Sequence, residues 1–214
     1  MAKKKEWREG EMILTFKLNK INEPYTDLMN EWLDVTLPQF EDWEQKNFDT
    51  LVEKKNRVMS WSEEDLKMKF ISPILELAGV LENKHFASFF DKKLEAKVDD
   101  YPLSVRADFL IAKGLLDFME RPFFHFQEYK PQRNPTGDSM AQLLEAFLIG
   151  QVKNDDKKPL YGCEVIGPTW RFVTMEGRSY CVSKAFDSMD TNNLLQIIAI
   201  LRKFREILET RLLD

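Results

Sequence analysis

Apolar positions along this chain alternate between a period of two and a period near 3.6, and each change of period marks an element. Residues 12–18 (MILTFKL) space Met12, Leu14, Phe16 and Leu18 two apart, the pattern of a short strand. Over 24–58 the period lengthens. Leu28, Trp32 and Val35 fall at helical spacing and Pro38 breaks the pattern. A second helix then carries Phe40, Trp43, Leu51 and Val52 among many charges. Residues 1–58 thus read as an N-terminal strand and helical extension whose aromatics serve packing.

The stretch SWSEEDLKMKFISPILELAGV (60–80) predicts a helix capped by Ser60 or Ser62, with acids in its first turn and Gly79 as its stop. Pro73 predicts a kink or an altered turn inside it. Three strands are expected at 93–99, 104–112 and 123–130, with Lys113-Gly114 as the connector after the second. The loop PQRNPTGD precedes an amphipathic helix, MAQLLEAFLIGQ. Strand patterns return at 160–166, 170–175 and 179–183. A long closing helix aligns Leu194, Ile197, Ile198, Leu201, Phe204 and Leu208 on one face. Residues 59–214 therefore read as one α/β (α+β) unit with a mixed sheet.

Composition narrows the chemistry by exclusion. The 214 residues are 43% hydrophobic and 31% charged, an ordinary globular mixture. Lys plus Arg is 31 against 36 for Asp plus Glu, a net charge of −5, which argues against a basic nucleic-acid coat. A local basic groove is compatible with that balance, because phosphate contacts are local and net charge is global. Two Cys and two His cannot build a Cys/His zinc site. Any ion is then held by oxygen, which suits Mg²⁺. The opening MAKKKEWREGE lacks the apolar stretch of a signal peptide, and no apolar run is long enough to span a membrane. With few cysteines, the expected setting is the reducing cytoplasm, with no membrane partner.

The chain has no GxxxxGK[ST] phosphate loop, no GxGxxG and no serine nucleophile elbow. His125, between Phe124 and Phe126, reads as structural. Carboxylates remain. Glu-x-Lys recurs at 44/46, 53/55, 82/84 and 95/97, mostly within charged stretches, but Glu128-Tyr129-Lys130 ends the apolar run FFHFQ. On a strand, Phe124, Phe126, Glu128 and Lys130 share one face, so a carboxylate and an ammonium continue a core stripe. Charge placed there must be paired or bind a metal. Asp108 interrupts the apolar strand SVRADFLIA in the same way, with Arg106 and Leu110 expected on its face and Val105, Ala107, Phe109 and Ile111 on the other. If the two strands are neighbours, Asp108 lies beside Glu128.

Helix geometry selects a third acid. With Glu63 at 0° and about 100° per residue, Leu66, Phe70, Ile74 and Leu77 fall within about 60° of it, whereas Asp65 faces solvent. Glu63 is the acid aimed inward. Three inward acids and a lysine suit Mg²⁺-assisted phosphodiester hydrolysis. A buried salt bridge of Lys130 with Glu128 or Asp108, a common arrangement, is the other reading of the same residues. Arg106, Lys130, Arg133 and Lys153 are the nearby basic residues that could meet phosphates.

Asp108 followed by Glu128-x-Lys130 on the next long strand resembles the PD-(D/E)xK nuclease superfamily. Within it, the chain is most similar to the N-terminal nuclease domain of type I restriction-enzyme R subunits and their stand-alone relatives. SEEDLKMKFISPILELAGV resembles that family's first helix, RADFLIA its Asp strand and FFHFQEYK its Glu-x-Lys strand. Gln142 in AQLLEAF resembles the family's glutamine helix, and LYGCEVIGPTWRFVTMEGR its later strands. The likeness covers roughly residues 60–183. Ala107 stands where the superfamily signature has Pro, and Ala146 where the glutamine helix has an aromatic.

The resemblance implies a restriction-endonuclease-like mixed sheet flanked by helices, and Mg²⁺- or Mn²⁺-dependent cleavage of nucleic acid, with DNA the expected substrate. It implies metal ligation by Glu63, Asp108 and Glu128, action of Lys130 on the attacking water, and support of the site or contact with DNA by Gln142. A non-catalytic module binding protein or nucleic acid on the same fold is the alternative. The helices before Ser60 offer a surface for self-association or a protein partner.

Overall fold

A computed structural model describes residues 5–81, 83–115, 118–133, 135 and 137–213. Asn134 and Thr136 of the PQRNPTGD loop lie outside the described residues.

The first element differs from expectation. Glu9–Phe16 is a helix, α1, and the strand β1 is only Asn19–Ile21. Met12 and Phe16 are four apart as well as two pairs of two apart, so they fit either period. The caps decide. Glu9 and Glu11 stand in the first turn, the Glu11 carboxylate accepts from the Arg8 amide, and Lys17 ends the helix in the left-handed region. Met12 and Phe16 are buried, while Leu14 is 82% exposed.

Helices α2 (Asp27–Leu33) and α3 (Asp42–Lys54) follow, then a 3₁₀ segment at Lys55–Ser60. The helix expected over 60–79 is present in three pieces: α4 (Glu63–Leu66), a π turn at Lys67–Ile71, and α5 (Ser72–Ala78). Ser62 caps it by accepting from the Asp65 amide, and Gly79 at φ +68° ends it. Pro73 lacks the amide that would close a regular turn, and the widened π turn lies directly before it.

Three long antiparallel strands come next: β2 (Ala87–Val98), β3 (Tyr101–Leu115) and β4 (Phe118–Lys130). Lys113 and Gly114 lie inside β3 rather than after it. The helix α6 (Ser139–Asn154) then crosses to β5 (Leu160–Ile166), followed by β6 (Thr169–Glu176), β7 (Ser179–Val182), β8 (Phe186–Asp187) and α7 (Thr191–Ile207). Among the described residues these strands form one mixed eight-stranded sheet, ordered β1-β7-β6-β5-β4-β3-β2, with β8 paired to β6. The β4–β5 and β1–β7 pairs are parallel. The fold is mixed α/β, a sheet flanked by helices.

The sheet separates two buried clusters. Helices α1 and α6 supply one, with Met12, Phe16, Leu144 and Phe147. Helices α2, α3, α5 and α7 supply the other, where Trp32 meets Tyr161, Phe172 and Phe204. Residues 1–58 thus contribute to both clusters. Trp32 is fully buried, and its indole donates to the Ile200 carbonyl at 2.8 Å.

Two breaks in alternation sit around the candidate residues. Val105 and Ala107 pack in the same cluster as Leu110 and Ala112, whereas Phe109 and Ile111 face the other. The strand therefore changes face at Asp108, and β2 does so opposite it, at Asp91, whose φ is +53°. A second irregularity falls in β4. Phe123 pairs with Ala112 and His125 with Ile111, so Phe124 leaves the face that Phe126 shares with Glu128 and Lys130.

Candidate functional site

Asp108 and Glu128 stand where the β3–β4 register runs out. The ladder ends with Phe109 opposite Gln127, and Asp108 continues it with its side chain. Its Oδ2 accepts the Tyr129 amide at 2.8 Å, and its Oδ1 accepts Lys67 Nζ at 2.7 Å. The Asp108 side chain is only 11% exposed. The expectation that β3 and β4 are neighbours holds, and Asp108 lies close enough for its charge to act on Glu128.

Glu63 arrives from the first turn of α4. Its Oε1 accepts the same Lys67 Nζ at 2.8 Å. Glu64 is exposed with its oxygen 3.7 Å from that ammonium, and Asp65 pairs outward with Lys69. Of the three consecutive acids, the one computed to face inward does so.

Glu128 is buried, and its Oε1 accepts Lys130 Nζ at 2.8 Å. Burial pushes the Glu128 carboxyl up to about 8, the charge of Asp108 adds to the rise, and Glu63 contributes too, while Lys130 pulls the other way. Glu63, Asp108, Glu128 and Lys130 therefore form one electrostatic group. Burial works to lower the Lys67 ammonium, but its hydrogen bonds to Asp108 and Glu63 outweigh burial and hold it above its ordinary value. Three acids face two ammoniums. As the side chains stand, with Lys67 between two of the acids, no group of three or more His, Cys, Asp and Glu among the described residues is arranged to hold a metal ion.

Lys130 connects this cluster to a cleft of about 780 Å³. Parallel pairing of β4 with β5 sets Glu164 level with Glu128. Glu164 lines the cleft, accepts from the Ser139 hydroxyl at 2.5 Å and pairs with Arg171 at 2.8 Å. Arg8 and Lys20, from the N-terminal residues, also line it. Asp138 ties α1 to α6, because its Oδ1 caps α6 at Ala141 while its Oδ2 accepts the Glu9 amide.

Gln142 is the predicted site residue that the structure does not join to the acids by a hydrogen bond. Its Oε1 is buried without a partner among the described residues, beside Gly137 at the cleft. Arg106 points away and holds Asp91 through Nη1. Arg133 is exposed, and Lys153 closes the last turn of α6. His125 is structural in its contacts. It is fully buried, its ring lies 4.6 Å from that of Phe204, and its Nε2 accepts from the Gln127 amide.

Among the participants that escaped sequence reasoning are Lys67, Glu164, Ser139 and Arg171. Two had a signal. Lys67 follows Glu63 by four, so it falls about 40° away on the same helix stripe. Glu164 is the single charge in the apolar strand LYGCEVI, the same anomaly that marks Asp108. Ser139 and Arg171 reach the cleft only through α6 packing and β5–β6 register, which have no local signature. In comparisons with known proteins, no protein-family model matches the chain and no curated protein matches it.

Proposed function

We propose that this protein is a divalent-metal-dependent nuclease that hydrolyses phosphodiester bonds, with DNA as its substrate, in a cytoplasmic setting such as restriction or DNA processing. The observation that carries this reading is the pairing of Glu63 and Asp108 through Lys67, with Glu128 within electrostatic reach of both acids and bonded to Lys130 at the edge of a cleft. The resemblance of these same positions to the PD-(D/E)xK pattern supports it. The donor set fits a hard cation in kind: all oxygen and partly buried. Glu63, Asp108 and Glu128 would hold Mg²⁺ or Mn²⁺. Such an ion stabilises charge on a phosphate oxygen and acidifies water.

The chain's own groups have separable tasks. Asp108 is fixed by the Tyr129 amide, so one of its oxygens is oriented before any ligand arrives. Glu128 and Lys130 share a hydrogen bond in a buried position, which places an ammonium where it can steer water or a phosphate. The cleft beyond Lys130 gives a nucleotide room, with Arg8, Lys20 and Arg171 for its phosphates.

The test is cleavage of plasmid and of single- and double-stranded oligonucleotides with Mg²⁺ or Mn²⁺, comparing Asp108→Ala and Lys130→Ala. Metal-dependent cleavage lost in both variants is expected. Equal inertness of all three proteins on DNA and RNA would remove the reading. One observation favours a second reading, a binding module whose acids only brace the fold: Lys67 already bridges Glu63 and Asp108. Calorimetry with Mn²⁺ separates the two, since a purely structural network takes up no ion.

A further inference from the structure

Lys67 occupies an unusual place for a solvent-facing residue type. Its Nζ lies 2.8 Å from Glu63 Oε1 and 2.7 Å from Asp108 Oδ1, with Glu64 Oε1 at 3.7 Å. Its side chain is only 20% exposed. A compact ammonium among carboxylate oxygens at these distances does what a hard metal ion does: it neutralises them and draws them together. An ion ligated by Glu63 and Asp108 takes the place between their carboxylates that this ammonium fills, and the two cations repel strongly at that distance.

We infer that Lys67 is a resident counter-ion for the acid cluster and that a divalent metal must displace it to bind. This inference rests on the metal-site reading above and adds a positioning residue to it. Lys67 holds Glu63 and Asp108 together in the metal-free protein, then swings out as the ion enters. Its location assists that exchange. Lys67 opens the π turn, and its neighbours Met68 and Lys69 are exposed, so four methylenes separate a movable ammonium from an accessible surface. Lys130 differs. It is more deeply buried and, among the described residues, its ammonium bonds only Glu128, so it stays when the ion arrives.

Competition makes a specific demand on affinity. Taking the ammonium away while keeping the side chain's bulk must tighten metal binding. Lys67→Met, Lys67→Ala and a same-turn surface control, Lys69→Met, are compared with wild type by Mn²⁺ titration in calorimetry and electron paramagnetic resonance. The expected result is at least about a tenfold gain in Mn²⁺ affinity for both Lys67 variants, a modest share of the repulsion between a dication and an adjacent ammonium. The Lys69 control leaves affinity within about twofold, because an exposed charge is screened. Both Lys67 variants also melt at lower temperature without metal and recover with Mn²⁺, since the paired acids lose their counter-ion.

Mn²⁺ binding by a Lys67 variant alone supports the inference as well. Unchanged or weaker binding in folded Lys67→Met, with wild type binding Mn²⁺, overturns the inference and leaves the nuclease reading intact. An equal gain in the Lys69 control reduces the effect to overall charge and also overturns it. Absence of Mn²⁺ binding in wild type and in both Lys67 variants defeats the inference together with the metal-site reading beneath it.

Discussion

The carboxylate of Asp108, one residue beyond the last paired rung of β3 and β4, accepts at 2.8 Å the backbone amide of Tyr129, two residues beyond it. A side chain thereby performs the work of a missing backbone carbonyl, and the same carboxylate bonds Lys67 with its other oxygen. Asp108 is structural and functional at once. Asp108→Ala takes the acceptor from the Tyr129 amide and leaves Lys67 with Glu63, and should destabilise the fold by about 1–3 kcal/mol. Asp108→Asn keeps an oxygen for the amide and should cost less, while still abolishing cleavage. Chemical denaturation alongside the cleavage assay separates the two roles; equal stability loss in both variants would contradict this account.

Burial of His125 opposes its protonation and so weakens the fold at acid pH. Burial pushes its imidazole down to about 3, and its surroundings are the rings of Trp32, Phe109 and Phe204 with the Gln127 amide on Nε2. The unfolded chain takes up this proton near pH 6.5 while the folded one refuses it. The stabilising contribution is therefore complete above about 6.5 and lost as pH falls toward 3. Between pH 6.5 and 5, His125→Phe should flatten the fall of unfolding free energy by up to about 1.4 kcal/mol per pH unit. Denaturation midpoints across that range provide the check; an unchanged slope would mean that His125 is not the titrating group.

Trp32 anchors the N-terminal residues to the rest of the fold. It is fully buried against Tyr161, Phe172 and Phe204 and donates to Ile200 of α7. Trp32→Ala should cost about 3–5 kcal/mol, the range for emptying a large core site. Thermal melting should show one cooperative transition at lower temperature. A separate early transition confined to residues 1–58 would instead mark that stretch as an independent unit.

Two glycines give opposite predictions. A Cβ on Gly162 would lie 2.6 Å from Phe147 Cζ and 2.7 Å from the Phe126 carbonyl oxygen, so Gly162→Ala pushes β5 away from α6 and β4. The expected loss is about 1–3 kcal/mol. Gly10 is exposed inside α1 with open space around it, so Gly10→Ala should gain about 0.5–1 kcal/mol from helix entropy. Equilibrium unfolding of the pair tests the packing and the helical assignment of residues 9–16 together. A loss in Gly10→Ala would return that segment to the strand its sequence suggested.

That segment shows why local pattern fails where it does. Met12 and Phe16 are compatible with both periods, and only capping by Arg8 and Glu11, with the left-handed turn at Lys17, selects the helix. Longer patterns were less ambiguous. All six residues aligned on the closing helix are buried, from Leu194 to Leu208. Glu63 faces the cluster as its angle on the helix requires, and Gly79 stops the helix it was expected to stop.

The sequence by itself determined which carboxylates are anomalous. An acid in an apolar strand, or on the apolar stripe of a helix, costs free energy wherever it is, so Asp108, Glu128 and Glu63 announce themselves without a fold. Tertiary structure alone decided what those acids face. Asp91 and Asp108 turn their strands over together, and the irregularity at Phe124 re-aims one strand against the other. The parallel register of β4 and β5 puts Glu164 level with Glu128, across 36 residues of chain. Lys67 sits between two acids that are 45 residues apart in sequence. Local periodicity reports the face a residue occupies; it carries no information about which distant charge will stand opposite, because that is set by strand order and register.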